Sequence, residues 1–116
     1  MVPDPVPGAD RANAAAKRLL RRAFEAALAA ADPGRALLPH LPEPPAGRTL
    51  VVGAGKAAAR MAAAVDVRYA GAPLSGLAIV PYGHAASGAG RVAVAEAGHP
   101  VPDAAGVAAT ERVLAL

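Results

Sequence analysis

The sequence predicts an α/β domain, a Rossmann-like layered fold with a mainly parallel sheet. Residues 50–52, 77–80 and 91–96 form short apolar runs, typical of strands that are buried on both faces. Helical patterns lie before, between and after these runs, in the order helix, strand, helix, strand, strand, helix, which favours helices layered on a sheet. The link between the second and third strands is too short for a crossover helix. These two strands therefore form a hairpin, or the third lies elsewhere in the sheet.

The N-terminal part predicts a disordered lead-in followed by an amphipathic helix. Residues 1–9 carry three prolines, and Asp10 or Asn13 can cap a helix that reaches about residue 31. We expect this helix to pack on the sheet, within one partial domain that covers residues 10–116. Its apolar stripe has helical spacing and consists of Ala16, Leu20, Phe24, Ala27, Leu28 and Ala31.

Further along, residues 32–34 end the first helix, residues 35–38 favour a short helical turn, and the proline-rich segment 39–47 predicts a loop. Asp103 can cap the last helix. That helix runs to Leu116 without a Gly, Asn or Pro stop signal. We therefore expect the domain to be incomplete at its C-terminus.

Composition narrows the classes of function. The net charge of +3 comes largely from a basic cluster at residues 11–22, without interleaved aromatic residues, so a solvated helix face is favoured over a nucleic-acid site. The sequence has no Cys, which excludes disulfides, thiol catalysis and Cys-ligated zinc and fits a cytoplasmic protein. No apolar run approaches the roughly 18 residues of a membrane-spanning helix.

Residues 49–60 form the segment that is most informative about function. Their pattern predicts a strand, a glycine turn and the start of an Ala-rich helix. Gly53 and Gly55 allow a sharp turn and a close approach of a ligand to the backbone. Lys56 lies where the helix begins, beside N–H groups that have no acceptor inside the helix. Such a helix start attracts anions, and the lysine charge adds to the attraction. The segment predicts a site for a phosphate or a carboxylate.

Two nucleotide-binding motifs compete with this interpretation. A P-loop needs a Gly where Leu50 stands and a Ser or Thr where Ala57 stands, so it is excluded. A dinucleotide fingerprint fits loosely with Gly53, Gly55 and Ala58, but the second strand ends without the acidic residue that binds the ribose. A structural turn that carries a surface lysine remains an alternative.

Two later loops carry polar residues at predicted strand ends. Tyr82 and His84 follow the second strand, where α/β sheets usually place ligand loops, and His84 can bind a phosphate or transfer a proton. Glu96, His99 and Asp103 follow the third strand. A metal site there is conceivable, but the spacing matches no known metal motif, so we predict none.

These segments together resemble the N-terminal domain of the class II glycerate kinases, a family also described as hydroxypyruvate reductases, whose second domain is called MOFRL. The resemblance covers about residues 17–116. It depends on three motifs in order, TLVVGAGKAA at 49–58, GLAIVPYGH at 76–84 and EAGHPVPDAAG at 96–106. The helix RRAFEAAL at 21–28 is similar to the opening of that family as well.

The resemblance implies transfer of the γ-phosphoryl group of ATP to glycerate, with Mg²⁺, in a cleft between two α/β domains. It makes Lys56 the catalytic residue and gives Gly53, Gly55, Lys56, His84 and His99 a role in binding substrate or phosphate. It also implies small-molecule partners and a homo-oligomer of the intact protein. From the composition we expect no binding to nucleic acid or membranes. The family's Ser-Gly-Gly-Gly-Ser segment would lie beyond Leu116, so we expect the chain alone to be inactive.

Two other functions remain open at this point. The first is an NAD(P)-dependent oxidoreductase of the hydroxypyruvate reductase type. The second is a non-catalytic binding module that uses the basic N-terminal helix.

Overall fold

The computed structural model describes residues 9–85 and 90–116. The described residues fall into two compact units, which divide after Asp32. The first contains helix α1 (Ala9–Ala30). The second contains, in chain order, α2 (Pro33–Leu37), a 3-10 turn (Leu38–His40), β1 (Thr49–Ala54), α3 (Ala58–Arg68), β2 (Leu74–Pro81), β3 (Val92–Ala97) and α4 (Ala104–Leu114). The predicted helices and strands are all present within a residue or a few of their expected bounds.

Helix α1 is amphipathic, as its sequence predicts. The apolar residues Leu20, Phe24 and Leu28 are more than half exposed. Asp10 and Asn13 lie inside the helix, so the prediction that one of them caps its start is wrong. The packing of α1 on the sheet stays a prediction. Most of the expected lead-in, residues 1–8, lies outside the described residues.

The three strands form one parallel sheet in the order β1-β2-β3. This confirms the predicted α/β class, but a hairpin between β2 and β3 is wrong. The link of residues 82–91 can return along the sheet because ten extended residues span up to about 33–36 Å. The six residues of β3 need only about 20 Å of that reach.

The core lies between one face of the sheet and α3. It is built from small and medium side chains, with Ala59, Ala62 and Val65 of α3 packed against Ala78 and Val80 of β2. Gly53 permits this close layer, since a Cβ there would lie 3.2 Å from the Ala58 Cβ. A Cβ at Gly76 would overlap the backbone carbonyl of Val51, its partner in the ladder. These two glycines therefore set how closely the backbone of β1 is packed.

The opposite face of the sheet packs against α4, which lies over β2 and β3. On this face Leu50 and Val52 of the edge strand β1 are about half exposed, at 43% and 54%. None of the helices in residues 9–85 and 90–116 is long and apolar enough to cross a membrane.

Candidate functional site

The three motif loops lie at one edge of the sheet. All three strands are parallel, so their carboxyl ends meet there, as the pairing of Ala54 with Ile79 and of Pro81 with Ala97 shows. The loops that follow begin at Gly55, Tyr82 and Gly98. Ligands of open α/β sheets bind outside this edge. The fold thus brings together loops whose first residues, Gly55 and Gly98, lie 43 positions apart in the sequence.

The first loop turns at Gly55, whose φ of 106° is a conformation that favours glycine. Its N–H donates to the Ile79 carbonyl at 2.9 Å, which ties the turn to β2. The Ala58 N–H donates to the Gly55 carbonyl at 3.1 Å, and α3 begins at Ala58. Lys56 therefore lies exposed in the turn, two residues before the helix instead of at its first residue.

Gly53 has a different role from the one that its motif predicts for the turn. It lies inside β1 and its φ is not positive. Its lack of a side chain serves the packing of α3, so the sharp turn depends on Gly55.

A cavity of about 160 Å³ opens between the strand ends. Gly55 and His99 both line it, together with residues of β1, β2 and β3. Lys56 and His84 are exposed and do not belong to its lining. A second groove of about 460 Å³ lies beside it, between the sheet and α4, and includes Thr110 and Glu111. The cavity brings one predicted glycine and one predicted histidine together.

Asp103 joins the second and third loops. One carboxylate oxygen, Oδ1, accepts the Gly106 N–H at 2.9 Å and caps α4, which confirms the predicted cap. The other, Oδ2, accepts the Tyr82 hydroxyl at 2.7 Å. The hydrogen bond from Tyr82, followed by that from Gly106, lowers the pKa of Asp103. The same bond, more than any other cause, raises the pKa of Tyr82.

This pair predicts a pH-dependent contribution to stability. Because the pKa of Asp103 is lowered on folding, the bond stabilises the fold above the ordinary pKa of 3.8 and is lost as the pH falls through the lowered value. Because the pKa of Tyr82 is raised on folding, the contribution to stability is also present up to the ordinary pKa of 10.0. It is lost as the pH rises through the raised value. We expect Tyr82→Phe to lower the urea midpoint of unfolding at pH 7, and the difference from wild type to shrink as the pH falls from 3.8 through the lowered pKa of Asp103. A difference that stays constant through this fall in pH would contradict the pairing.

Glu96 is bonded to the loop after β2. Its Oε1 accepts the N–H of Gly83 at 2.8 Å and that of Ala85 at 3.3 Å. These bonds could not be predicted, because Glu96 is 13 and 11 residues away from its two donors. In the sequence, Glu96 is notable only as a charged residue directly before the third loop.

The described residues contain no group of three or more His, Asp or Glu side chains that could hold a metal ion. The carboxylates of Glu96 and Asp103 accept hydrogen bonds from other parts of the chain. We assign no ligand for Mg²⁺ among the described residues.

Comparison with known proteins places this geometry in a family. Residues 19–116 match the model of a domain of unknown function, DUF4147. A putative hydroxypyruvate reductase of Agrobacterium vitis is 50% identical over 103 residues, which are 89% of this chain and 23% of that protein. The D-glycerate 2-kinase of Thermotoga maritima is 35% identical over 100 residues, 86% of this chain and 24% of the kinase. No solved structure matches the chain.

The chain thus spans about a quarter of the length of these two relatives. The aligned stretch in each covers most of residues 1–116, including the strand ends that form the site. The match confirms the resemblance that the three motifs indicate. The chain belongs to the DUF4147 family, the N-terminal domain family of the class II glycerate kinases.

Proposed function

We propose that this chain is the N-terminal part of a kinase that transfers the γ-phosphoryl group of ATP to glycerate and yields 2-phosphoglycerate and ADP. We call the longer protein with both domains the parent enzyme. The observation that carries the proposal is the meeting of three motif loops at one sheet edge, with Gly55 and His99 lining a common cavity. The similarity to a protein named D-glycerate 2-kinase supports it.

Lys56 is the proposed catalytic residue. Phosphoryl transfer requires little covalent chemistry from the protein, so positioning and stabilisation of charge dominate. An exposed ammonium beside the turn at Gly55 can neutralise charge on a phosphoryl group or on the carboxylate of glycerate. His84 and His99, in the other two loops, are proposed to donate hydrogen bonds to the same anionic groups.

The second domain completes the site in this proposal. ATP and Mg²⁺ bind in a cleft of which the described residues form one wall. The intact enzyme acts on small molecules in the cytoplasm and does not bind nucleic acid or membranes.

The test measures ADP release with ATP and glycerate. We expect the purified parent enzyme to release ADP only when both substrates are present, and ³¹P NMR to identify the product as 2-phosphoglycerate. We expect the 116-residue chain alone to show no turnover. Failure of the parent enzyme to phosphorylate glycerate would overturn the proposed function, and turnover by the chain alone would overturn the need for a second domain.

An NAD(P)-dependent hydroxypyruvate reductase is the second candidate, because two similar proteins of Agrobacterium vitis are named putative hydroxypyruvate reductases. The geometry of β2 favours it less, since this strand ends at Pro81 and Tyr82 follows, without a carboxylate for the ribose. Tight binding of NADH by the parent enzyme, seen as a change in cofactor fluorescence, and its oxidation by hydroxypyruvate would support this candidate against the kinase.

A further inference from the structure

The loop after β2 is held in one conformation by several hydrogen bonds. The His84 N–H donates to the Pro81 carbonyl at 3.0 Å, which closes a four-residue turn. Gly83 is the third residue of this turn, and its φ of 76° is the value that a type II turn requires there. The turn directs two further N–H groups, those of Gly83 and Ala85, to one side.

Both of these N–H groups are bonded to the same atom, Oε1 of Glu96. Glu96 is the second-last residue of β3 and pairs with Val80, directly before the turn. Alternation along β3 puts Glu96 on the same face as Val92 and Val94, which pack in the core. The carboxylate is thus anchored on a rigid strand while the turn that it holds is an exposed loop.

A carboxylate in this position does not act on an anionic substrate directly, since its negative charge would repel a phosphate or a carboxylate. Its acceptor capacity is instead used on the backbone of the loop. His84 lies between the two bonded residues, Gly83 and Ala85, so its backbone position depends on both bonds.

We propose that Glu96 is a positioning residue, which fixes the loop of residues 82–85 and thereby places His84 at the carboxyl edge of the sheet. The effect of Glu96 on catalysis through His84 rests on the proposed function. Its role in holding the loop rests on the two hydrogen bonds alone. Errors of about 1 Å in the position of such a group can cost a hundredfold in rate, so a loosened loop has a measurable effect.

Three variants of the parent enzyme test the inference. Glu96→Ala removes the acceptor, and we expect amide hydrogen exchange in residues 82–85, followed by mass spectrometry, to become at least about tenfold faster. Glu96→Gln keeps an acceptor oxygen and removes the charge, and we expect exchange close to that of wild type. Thr110→Ala, on α4, is the control for substitution of another exposed side chain near this edge.

Kinetics then test whether Glu96 acts through His84. We expect Glu96→Ala to lower kcat/KM for glycerate by about tenfold, and Glu96→Gln to keep most of it. In the His84→Ala background, Glu96→Ala should lower kcat/KM little further, because the side chain that Glu96 positions is already missing.

Unchanged exchange in residues 82–85 of Glu96→Ala would overturn the inference. So would additive losses in the double variant, or a Glu96→Gln variant as impaired as Glu96→Ala, which would assign the effect to charge. If wild-type parent enzyme does not phosphorylate glycerate, the proposed function fails, but the exchange experiment still decides whether Glu96 holds the loop.

Discussion

Replacement of Lys56 by alanine in the parent enzyme is expected to lower the phosphorylation of glycerate by at least about one to two orders of magnitude. The ammonium is exposed at the turn that joins β1 to α3, at the carboxyl edge of the sheet, where the other two motif loops begin. Charge that develops on the transferred phosphoryl group would then lack the ammonium that we propose to neutralise it. Steady-state kinetics with both substrates varied measure the loss.

Lys17→Ala is the matched control, because Lys17 is the one other lysine of the sequence and lies on α1. We expect it to retain nearly full activity. Lys56→Arg keeps the charge but changes its geometry, so partial activity of this variant would assign charge as the main role. A Lys56→Ala variant with unchanged rate would remove Lys56 from the site. Loss of partner binding after Arg18, Arg21 and Arg22 are replaced by alanine, with no effect of Lys56→Ala, would instead indicate a non-catalytic binding module.

Local features of the site could be predicted from the sequence. Asp103 stands directly before a helical pattern, and a cap needs only the next three residues, so its bond to Gly106 followed from sequence alone. The turn at Gly55 was predicted for the same reason. The exact turn residue was not, because Gly53 and Gly55 look alike in sequence, and only the folded chain shows that Gly55 has a positive φ while Gly53 packs against Ala58.

Features that join distant segments could not be predicted. The parallel pairing of β3 with β2 depends on how ten loop residues return along the sheet, and no pattern in those residues specifies a direction. The bond of Tyr82 to Asp103 spans 21 residues, and those of Glu96 depend on where β2 and β3 end. The sequence shows Tyr82, Glu96 and Asp103 as polar residues next to predicted strands. Their hydrogen-bond partners depend on the register of the strands, which the sequence does not specify.

Arg91 makes several long-range contacts that the sequence does not predict. Its replacement by alanine is expected to destabilise the fold by about 2 kcal/mol. Its Nε donates to Asp66 Oδ1 at 2.6 Å, and its two terminal nitrogens donate to the backbone carbonyls of Asp66, Tyr69 and Ala72 at 2.6–2.9 Å. The guanidinium thus binds carbonyls at the C-terminal end of α3, where a positive charge is favourable. Hydrogen bonds to charged groups contribute about 1.5–3 kcal/mol each, but the side chain is 36% exposed, so solvent reduces the total.

Urea unfolding of the 116-residue chain, followed by circular dichroism, measures this loss of stability. Arg91→Lys should recover only part of it, since an ammonium lacks the planar fork that reaches Asp66 and several carbonyls at once. Arg112→Ala, which removes a charge from the last turn of α4, is the matched control and should change the midpoint little. Equal midpoints for Arg91→Ala and Arg112→Ala would mean that the bonds at the end of α3 contribute no net stability. A selective loss in Arg91→Ala would instead show that the start of β3 is held by α3, so that the strand which carries Glu96 is anchored at the end opposite to the site.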